Sequence, residues 1–296
     1  MIAMQTAVDT SQVPSETLPA AFKIARGEAV SAPVVFASPH SGKVYPRQMT
    51  DLLSVPLRDL ERTEDAFVDE LYAAAPHHGS VLLHATFARA FVDLNRDARE
   101  LDANMFSDGV PRVAGMPSAR VKAGLGCLPR VGASGRDIYA QQITCADGQF
   151  RLDTVHDRYH AALQSEIDAL KQDWADVFVI DCHSMPSRQP GRSNLPDIVL
   201  GDRFGSSCSA RLTSKVERFF RREGFSVARN APYAGGYTTR RYGRPRRGVH
   251  VLQIELNRAL YMNEADVEKS KQFPDLQEKL SRLIQDIVDL AVAENT

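Results

Sequence analysis

Two histidines follow apolar stretches of the sequence at the points where polar residues begin. His40 lies in the motif SPHSG after the apolar run PVVFA, and His183 lies in DCHS after DVFVI. A catalytic zinc ion takes three protein ligands and keeps one coordination position for water, and histidine nitrogens are common ligands. A single histidine after an apolar run is more often a core or loop residue. Two such histidines, each beside Ser or Asp, therefore favour a metal site.

The third ligand of such a site would be a carboxylate. Glu64 and Asp65 are the nearest acidic pair in the sequence, and spacing alone does not separate them. The alternative is structural, because acidic residues in the first turn of a helix complement the helix dipole. Asp181 stands two residues before His183 and would share its strand face, so it could orient a histidine from behind.

Glu255 lies within the apolar stretch IEL, where a carboxylate costs free energy unless it is paired or needed. Burial raises the pKa of a glutamate, and this suits a base that takes a proton from water and then returns it. The alternative is a structural ion pair with Arg258 or another arginine. Both interpretations remain open at this point.

Arginines are frequent around these candidate segments. The stretch RRYGRPRR resembles a nucleic-acid patch, but Lys plus Arg number 36 against 37 Asp plus Glu, and this balance gives no global field for nucleic acid or an anionic membrane. A solvated loop is one alternative, and recognition of a small dicarboxylate is another, because arginine binds a carboxylate with two parallel hydrogen bonds. The arginines concerned are Arg89, Arg96, Arg240, Arg241, Arg244, Arg246 and Arg247.

The elements that must position these residues alternate between strands and helices. This alternation predicts an α/β fold with a mixed central sheet and helices around it, in which ligands bind beyond the carboxyl ends of the strands. Predicted strands cover 33–40, 80–85, 89–95, 176–184, 197–202, 225–230 and 250–257. One predicted helix begins after an N-cap at Thr63. Three more predicted helices cover about 147–174, 208–222 and 274–293.

The predicted organisation is a flexible tail over residues 1–20 and one domain over 21–296. A glycine-rich segment, residues 105–148, has little periodicity, and long irregular segments of this kind are often functional. No apolar run is long enough to cross a membrane and no signal peptide is visible, so the expected location is the cytoplasm. The four cysteines are far apart in the sequence and are expected to be reduced thiols.

Seven short motifs follow one another between about Val34 and Met262: SPHSG, VDELY, RAFVDLNRD, DCHSM, PDIVLGD, GGYTTRRYG and GVHVLQIELNR. In this order and spacing they resemble the N-formylglutamate amidohydrolase (N-formylglutamate deformylase) family. That family is similar to the zinc carboxypeptidases and to the aspartoacylase and succinylglutamate desuccinylase group. The resemblance implies a zinc carboxypeptidase-like (phosphorylase/hydrolase-like) α/β architecture with helices on both faces of a mixed sheet.

The resemblance also implies roles for individual residues. His40, His183 and Asp65 match the ligands of one zinc ion per chain, with Glu64 as the second choice for the carboxylate. Glu255 matches the general base, and Arg89 resembles the arginine that polarises the scissile carbonyl. The remaining matches are the Asn95–Arg96 pair for a substrate carboxylate, Arg240 as a second carboxylate clamp, and His250, which belongs to a motif without an assigned role.

The function implied is zinc-dependent hydrolysis of a small N-acyl amino acid, N-formyl-L-glutamate first of all, to formate and L-glutamate in histidine degradation. Neither a nucleic acid nor a membrane is expected as a partner. One alternative is another zinc N-acyl amino acid deacylase or a carboxypeptidase-like peptidase. An alternative of another class is a metal-free anion-binding protein on the same fold.

Overall fold

A seven-stranded mixed sheet forms the centre of the protein. The computed structural model describes residues 18–112, 114–116, 118–189, 191 and 195–296. The strand order is β1-β3-β2-β4-β7-β5-β6, in which β3, β2, β4 and β7 run parallel and the other three strands run in the opposite direction. The strands are β1 (Phe22–Ala25), β2 (Val34–Ser38), β3 (Val81–Ala85), β4 (Val177–Met185), β5 (Ile198–Gly201), β6 (Val227–Arg229) and β7 (Val249–Asn257). The prediction of a mixed α/β sheet is confirmed.

A two-stranded ribbon, β8 (Met262–Asn263) with β9 (Glu268–Lys269), lies outside this sheet. The helices are α1 (Arg47–Thr50), α2 (Leu57–Glu61), α3 (Val68–Leu71), α4 (Ala119–Lys122), α5 (Cys145–Arg151), α6 (Asp157–Asp173), α7 (Ala210–Arg222), α8 (Tyr237–Tyr242) and α9 (Phe273–Ala293). A π-helical stretch, Leu152–His156, joins α5 to α6. Within the described ranges, no helix combines the length and apolar character needed to cross a membrane.

Helices cover both faces of the sheet because the sheet is apolar on both. Alternate residues of each central strand enter one of two buried clusters. In β4, Phe178 and Ile180 pack towards α3, α7 and α9, whereas Val177 and Val179 pack towards α6. Strands buried on both faces read as near-continuous apolar runs, which is why these strands could be predicted from the sequence.

The α6 face changes from apolar to polar at the carboxyl ends of β4 and β7. Along β4 this face carries Val177 and Val179 and then Asp181 and His183. Along β7 it carries Val251 and then Gln253 and Glu255. The parallel register sets His183 beside Glu255. The two strands therefore form a polar patch on the α6 face of the sheet, at their carboxyl ends.

Two predicted elements are wrong. Residues 89–95 form turns rather than a strand, since Phe91 and Val92 both donate backbone hydrogen bonds to Ala88. Their apolar side chains are buried in the α6-facing cluster without joining the sheet. The helix predicted after Thr63 begins only at Val68.

Of the tail predicted over residues 1–20, residues 1–17 lie outside the described part of the chain. The described part of the glycine-rich segment, which omits residues 113 and 117, contains the end of a 3₁₀ helix at Met105, the short helix α4 and the start of α5.

Candidate active site

A cavity of about 610 Å³ opens at the carboxyl ends of the parallel strands, a size that suits a small molecule. Its floor comes from β4, β7 and the turns that follow β2 and precede α3. The glycine-rich segment supplies part of the wall through Arg120, Leu125, Pro129, Val131, Gly132 and Ala133. The cavity thus lies where ligands bind in open α/β sheets.

His40, Asp65 and His183 converge at the floor of the cavity. Their potential ligand atoms all lie within 4.8 Å of one another, and all three residues are buried. Nδ1 of His183 is 3.0 Å from Oδ2 of Asp65, and Nδ1 of His40 is 3.3 Å from the same oxygen. The two imidazole rings have centroids 4.8 Å apart. Each histidine therefore turns Nδ1 towards the same carboxylate.

The opposite ring nitrogens face two further carboxylates. Nε2 of His40 is 2.7 Å from Oδ1 of Asp93, and Nε2 of His183 is 3.1 Å from Oδ1 of Asp181. Outer carboxylates of this kind fix the tautomer and ring orientation of metal-binding histidines. Nδ1 of His40 is buried without a hydrogen-bond partner. A buried N, N, O donor set with one unpartnered nitrogen is suited to zinc.

The histidine and aspartate charges depend on one another. Burial lowers the pKa of His183, but the neighbouring Asp181 and Asp65 outweigh it and hold that pKa well above its ordinary value. Burial alone would raise the pKa of Asp65. The hydrogen bond with His183, together with the nearby His40 ring and Arg89, holds it well below its usual range instead. The pocket thus keeps Asp65 ionised, and a positive charge beside this carboxylate is favourable.

The turn before α3 brings Asp65, and not Glu64, between the histidines. The backbone N–H of Asp65 donates to the carbonyl of His40, and Phe67 adopts a left-handed conformation with φ of 66°. Glu64 also lines the cavity, but its carboxylate accepts a hydrogen bond from Tyr45. Burial raises the pKa of Glu64 to about 7.

Arg258 holds the other oxygen of Asp65. Its Nη2 donates to Oδ1 of Asp65 at 3.0 Å, and its Nε donates to Ser184 at 3.2 Å. Arg258 thus pairs with Asp65 rather than with Glu255, the partner that the structural alternative had suggested. The carboxylate of Asp65 is fixed by a buried cation on the side away from the histidines.

Glu255 lies on the same strand face as Gln253, which donates to its Oε1 at 2.8 Å. The residue is buried and lines the cavity. Burial raises the pKa of Glu255 to about 7. A carboxyl group with such a pKa exchanges protons readily near neutral pH.

Arg89 and Asn95 line the cavity from the turns at residues 89–95. Arg89 donates to Oδ2 of Asp93 at 2.8 Å and lies 3.5 Å from Oδ1 of Asp65. Oδ1 of Asn95 accepts from the backbone N–H of Thr238 at 2.9 Å. Arg96 also lines the cavity.

Two predicted site residues lie elsewhere. Arg240 is half-exposed on α8, outside the cavity lining, with Nη2 3.7 Å from Asp97 and 3.5 Å from Glu100. His250 lies at the start of β7, where Nδ1 accepts from the N–H of Ser209 and Nε2 is 2.9 Å from Asp176. The structure gives His250 a packing role at the opposite end of the strand.

Sequence reasoning missed several residues of the cavity, among them Asp93, Arg120, Tyr233 and Arg258. Asp93 lies in the motif RAFVDLNRD, where the sequence alone does not distinguish it from the other acidic residue, and Arg258 is predicted only as an alternative partner of Glu255. Arg120 and Tyr233 lie in stretches without periodicity, so no local pattern in the sequence marked them.

Fold and site together define a class of protein: an α/β protein with a candidate metal-ligand group and a buried glutamate at the carboxyl ends of parallel strands. A family model described as N-formylglutamate amidohydrolase matches residues 32–262. Since this match covers more than half of the chain, the protein belongs to the N-formylglutamate amidohydrolase family, and the predicted resemblance is confirmed.

Individual relatives agree with this assignment. The chain is 31% identical over 239 residues to an N-formylglutamate deformylase of Pseudomonas aeruginosa, covering 78% of this chain and 83% of that protein. It is 28% identical over 239 residues to an N-formylglutamate deformylase of Pseudomonas putida, covering 79% of this chain and 83% of that protein. The crystal structure of an N-formylglutamate amidohydrolase from Ralstonia eutropha JMP134 has a TM-score of 0.87 at 34% identity, covering 93% of this chain and 100% of that chain.

Proposed function

We propose that the protein hydrolyses the amide bond of N-formyl-L-glutamate to formate and L-glutamate, and that it depends on one zinc ion held by His40, Asp65 and His183. The observation that carries the proposal is the convergence of these three ligand atoms beside the buried Glu255. The family membership and the names of the relatives support the same substrate.

Zinc fits the three residues by donor chemistry and by the unpartnered Nδ1 of His40. When bound, the ion supplies Lewis acidity, which acidifies water and polarises a carbonyl. The chain's own contribution is to hold the two rings rigidly through Asp93 and Asp181.

Glu255 is the proton carrier. It accepts a proton from the attacking water while the water oxygen bonds to the formyl carbon. It then donates that proton to the amine nitrogen as the carbon–nitrogen bond breaks. A pKa of about 7 allows both transfers near neutral pH.

Arg89 stabilises the negative charge that develops on the formyl oxygen. Its guanidinium is anchored by Asp93 and lies at the cavity surface, so it needs little reorganisation during the reaction. A preorganised donor of this kind contributes about 10²–10³-fold in turnover. Arg96 binds a carboxylate of the substrate, so that the amide is oriented over the floor of the cavity.

Metal depletion and reconstitution test the proposal. The protein is dialysed against a chelator, reloaded with zinc, and assayed for formate and L-glutamate from N-formyl-L-glutamate. We expect activity to be lost on depletion and restored at about one zinc per chain, the occupancy of a single three-ligand site. Unchanged activity after complete depletion would remove zinc from the proposal. Preferential cleavage of other N-acyl amino acids or of C-terminal peptide bonds would replace the substrate.

A further inference from the structure

Four of the six arginines that line the cavity have no acidic partner among the described residues. Arg89 and Arg258 are paired with Asp93 and Asp65. By contrast, no carboxylate of the described residues lies at ion-pair distance from the other four, which are Arg62, Arg96, Arg120 and Arg188. Unpaired cations in a cavity are suited to an anionic ligand with more than one negative group.

Arg96 and Arg120 are close enough to affect one another. Arg96 is held by backbone carbonyls, with Nε donating to Leu125 at 3.3 Å and Nη1 donating to Asn95 at 3.0 Å. Repulsion from Arg96, followed by partial burial, lowers the pKa of Arg120 below its ordinary value. Both residues line the same cavity, and two guanidinium groups that repel one another there are a favourable site for a shared anion.

The two arginines come from different walls. Arg96 follows Asn95, whose Nδ2 is 3.1 Å from Nε2 of His183, so this side of the cavity adjoins the floor. Arg120 is on α4 of the glycine-rich segment, outside the sheet, and among the described residues no hydrogen bond or ion pair joins it to the His40–Asp65–His183 group. In an N-acyl amino acid the α-carboxylate is two bonds from the amide nitrogen, whereas a side-chain carboxylate reaches further from the reacting centre. The outer wall is therefore the place for the side-chain carboxylate.

We infer that Arg120 is a specificity-determining residue that binds, together with Arg96, the side-chain carboxylate of an N-acyl dicarboxylic amino acid. The inference rests on the proposed function. It moves the clamp for the side-chain carboxylate from Arg240, whose Nη2 is 3.7 Å from Asp97 and 3.5 Å from Glu100, to Arg120 and Arg96.

The test compares two substrates that differ only in the side-chain terminus. We measure kcat/KM of the zinc-loaded wild type and of Arg120→Gln on N-formyl-L-glutamate and N-formyl-L-glutamine. We expect the variant to lose about 10- to 100-fold on N-formyl-L-glutamate, mainly through KM, as for a lost hydrogen bond between charged groups. Its activity on N-formyl-L-glutamine should stay within about twofold of the wild type. Arg120→Lys keeps the charge without the two-pronged contact and should recover only part of the loss.

Lys122→Gln is the matched control, because Lys122 is an exposed cation on the same helix outside the cavity lining. This substitution should leave kcat/KM unchanged for both substrates. Calorimetric binding of glutarate gives a readout independent of turnover, and we expect weaker binding only in the Arg120 variants.

The outcomes separate the inference from the function on which it rests. Equal losses on both substrates would assign Arg120 to the α-carboxylate, and no loss would give it no role in recognition. Either result overturns the inference while the proposed function stands. A wild type that hydrolyses neither compound overturns the proposed function, and undiminished glutarate binding by Arg120→Gln then overturns the inference separately.

Discussion

Asp65 is the residue on which the site's geometry converges. Two histidines approach its Oδ2, while Arg89 and Arg258 lie against its Oδ1. The two cations offset part of the free energy that burial of this carboxylate costs. They also leave the oxygen that faces the histidines as the one available to a metal ion.

At this residue scale, the first prediction concerns Glu255→Gln. The amide is isosteric with the carboxylate and its oxygen can still accept the hydrogen bond from Gln253. We therefore expect the variant to fold and retain zinc, whereas kcat falls by about 10²–10⁴-fold because proton transfer is lost. Turnover of N-formyl-L-glutamate and metal content are measured on the same sample. Full activity with zinc bound would show that another group carries the proton.

Asp93→Asn tests an outer carboxylate. Asp93 is 2.7 Å from Nε2 of His40 and 2.8 Å from Nη2 of Arg89, so it positions two site residues at once. Loss of its charge should weaken zinc binding by about 10- to 100-fold. The dissociation constant is measured by competition with a chromophoric chelator.

Asp97→Asn is the matched control for that variant. Asp97 belongs to the same motif but pairs with the exposed Arg99 at 3.0 Å. It should leave zinc affinity unchanged. Equal affinities in both variants would mean that Asp93 does not support the metal site.

The sequence indicated the two histidines and Glu255 because each lies in an apolar strand or directly after one. Spacing alone did not separate Glu64 from Asp65, and only the family resemblance favoured Asp65. The direction of these neighbouring side chains depends on a turn with a left-handed Phe67, and this turn is stabilised by contacts from distant parts of the chain. The same reason hid Arg258, whose partner Asp65 is 193 residues away in the chain.

At the scale of elements, strands that are buried on both faces could be predicted, but the turn at residues 89–95 could not. Its apolar residues gave the pattern of a strand, and their burial is real. The difference lies in the backbone partners: Asp93 donates to the carbonyl of Cys127 in the glycine-rich segment and not to a neighbouring strand. Hydrophobic pattern records burial and does not record which backbone group is the partner.

The junction before α8 depends on a close approach of backbone and side chain. A Cβ atom at Gly236 would lie 2.3 Å from Nδ2 of Asn95, much closer than any normal contact. Gly236→Ala should therefore displace Asn95 beside the candidate metal site and lower kcat/KM at least about tenfold, with a stability loss of about 1–3 kcal/mol from overpacking. Steady-state kinetics and thermal unfolding measure both effects.

Gly115→Ala is the control for that substitution. An added Cβ there would meet its nearest atoms at 3.5 Å and 3.8 Å, which are ordinary contacts. It should leave kcat/KM unaltered. If Gly236→Ala were equally silent, Asn95 would have room to move without effect on the reaction.

At the scale of the whole molecule, the site lies at one end of the α6 face of the sheet, where the buried side chains change from apolar to polar. The sheet and its two buried clusters fix the floor, while the glycine-rich segment adds a wall that carries Arg120. In many proteins a regular scaffold positions the site, and loops around it contribute residues that bind the ligand. This division between sheet and glycine-rich segment places the proposed metal ligands in the most protected part of the fold.

This division predicts unequal protection of the cysteines, which are unpaired in the structure. Cys182 lies in the central strand β4, whereas Cys127 belongs to the glycine-rich segment. Both are fully buried, and burial raises the pKa of each thiol well above its ordinary value. Thiols of this kind react only when the structure around them opens. The half-buried Cys145 should react first with a maleimide in the native protein.

Cys127 should react before Cys182, because its backbone hydrogen bonds, with Asp93 and Glu100, lie outside the sheet. Cys182 should be labelled only at the rate of global unfolding, since β4 is paired on both sides by β2 and β7. Pulsed labelling with mass spectrometry measures each rate, and protein unfolded in denaturant gives the reference for full reactivity. Equal rates at Cys127 and Cys182 would mean that the glycine-rich segment and the sheet open as one cooperative unit.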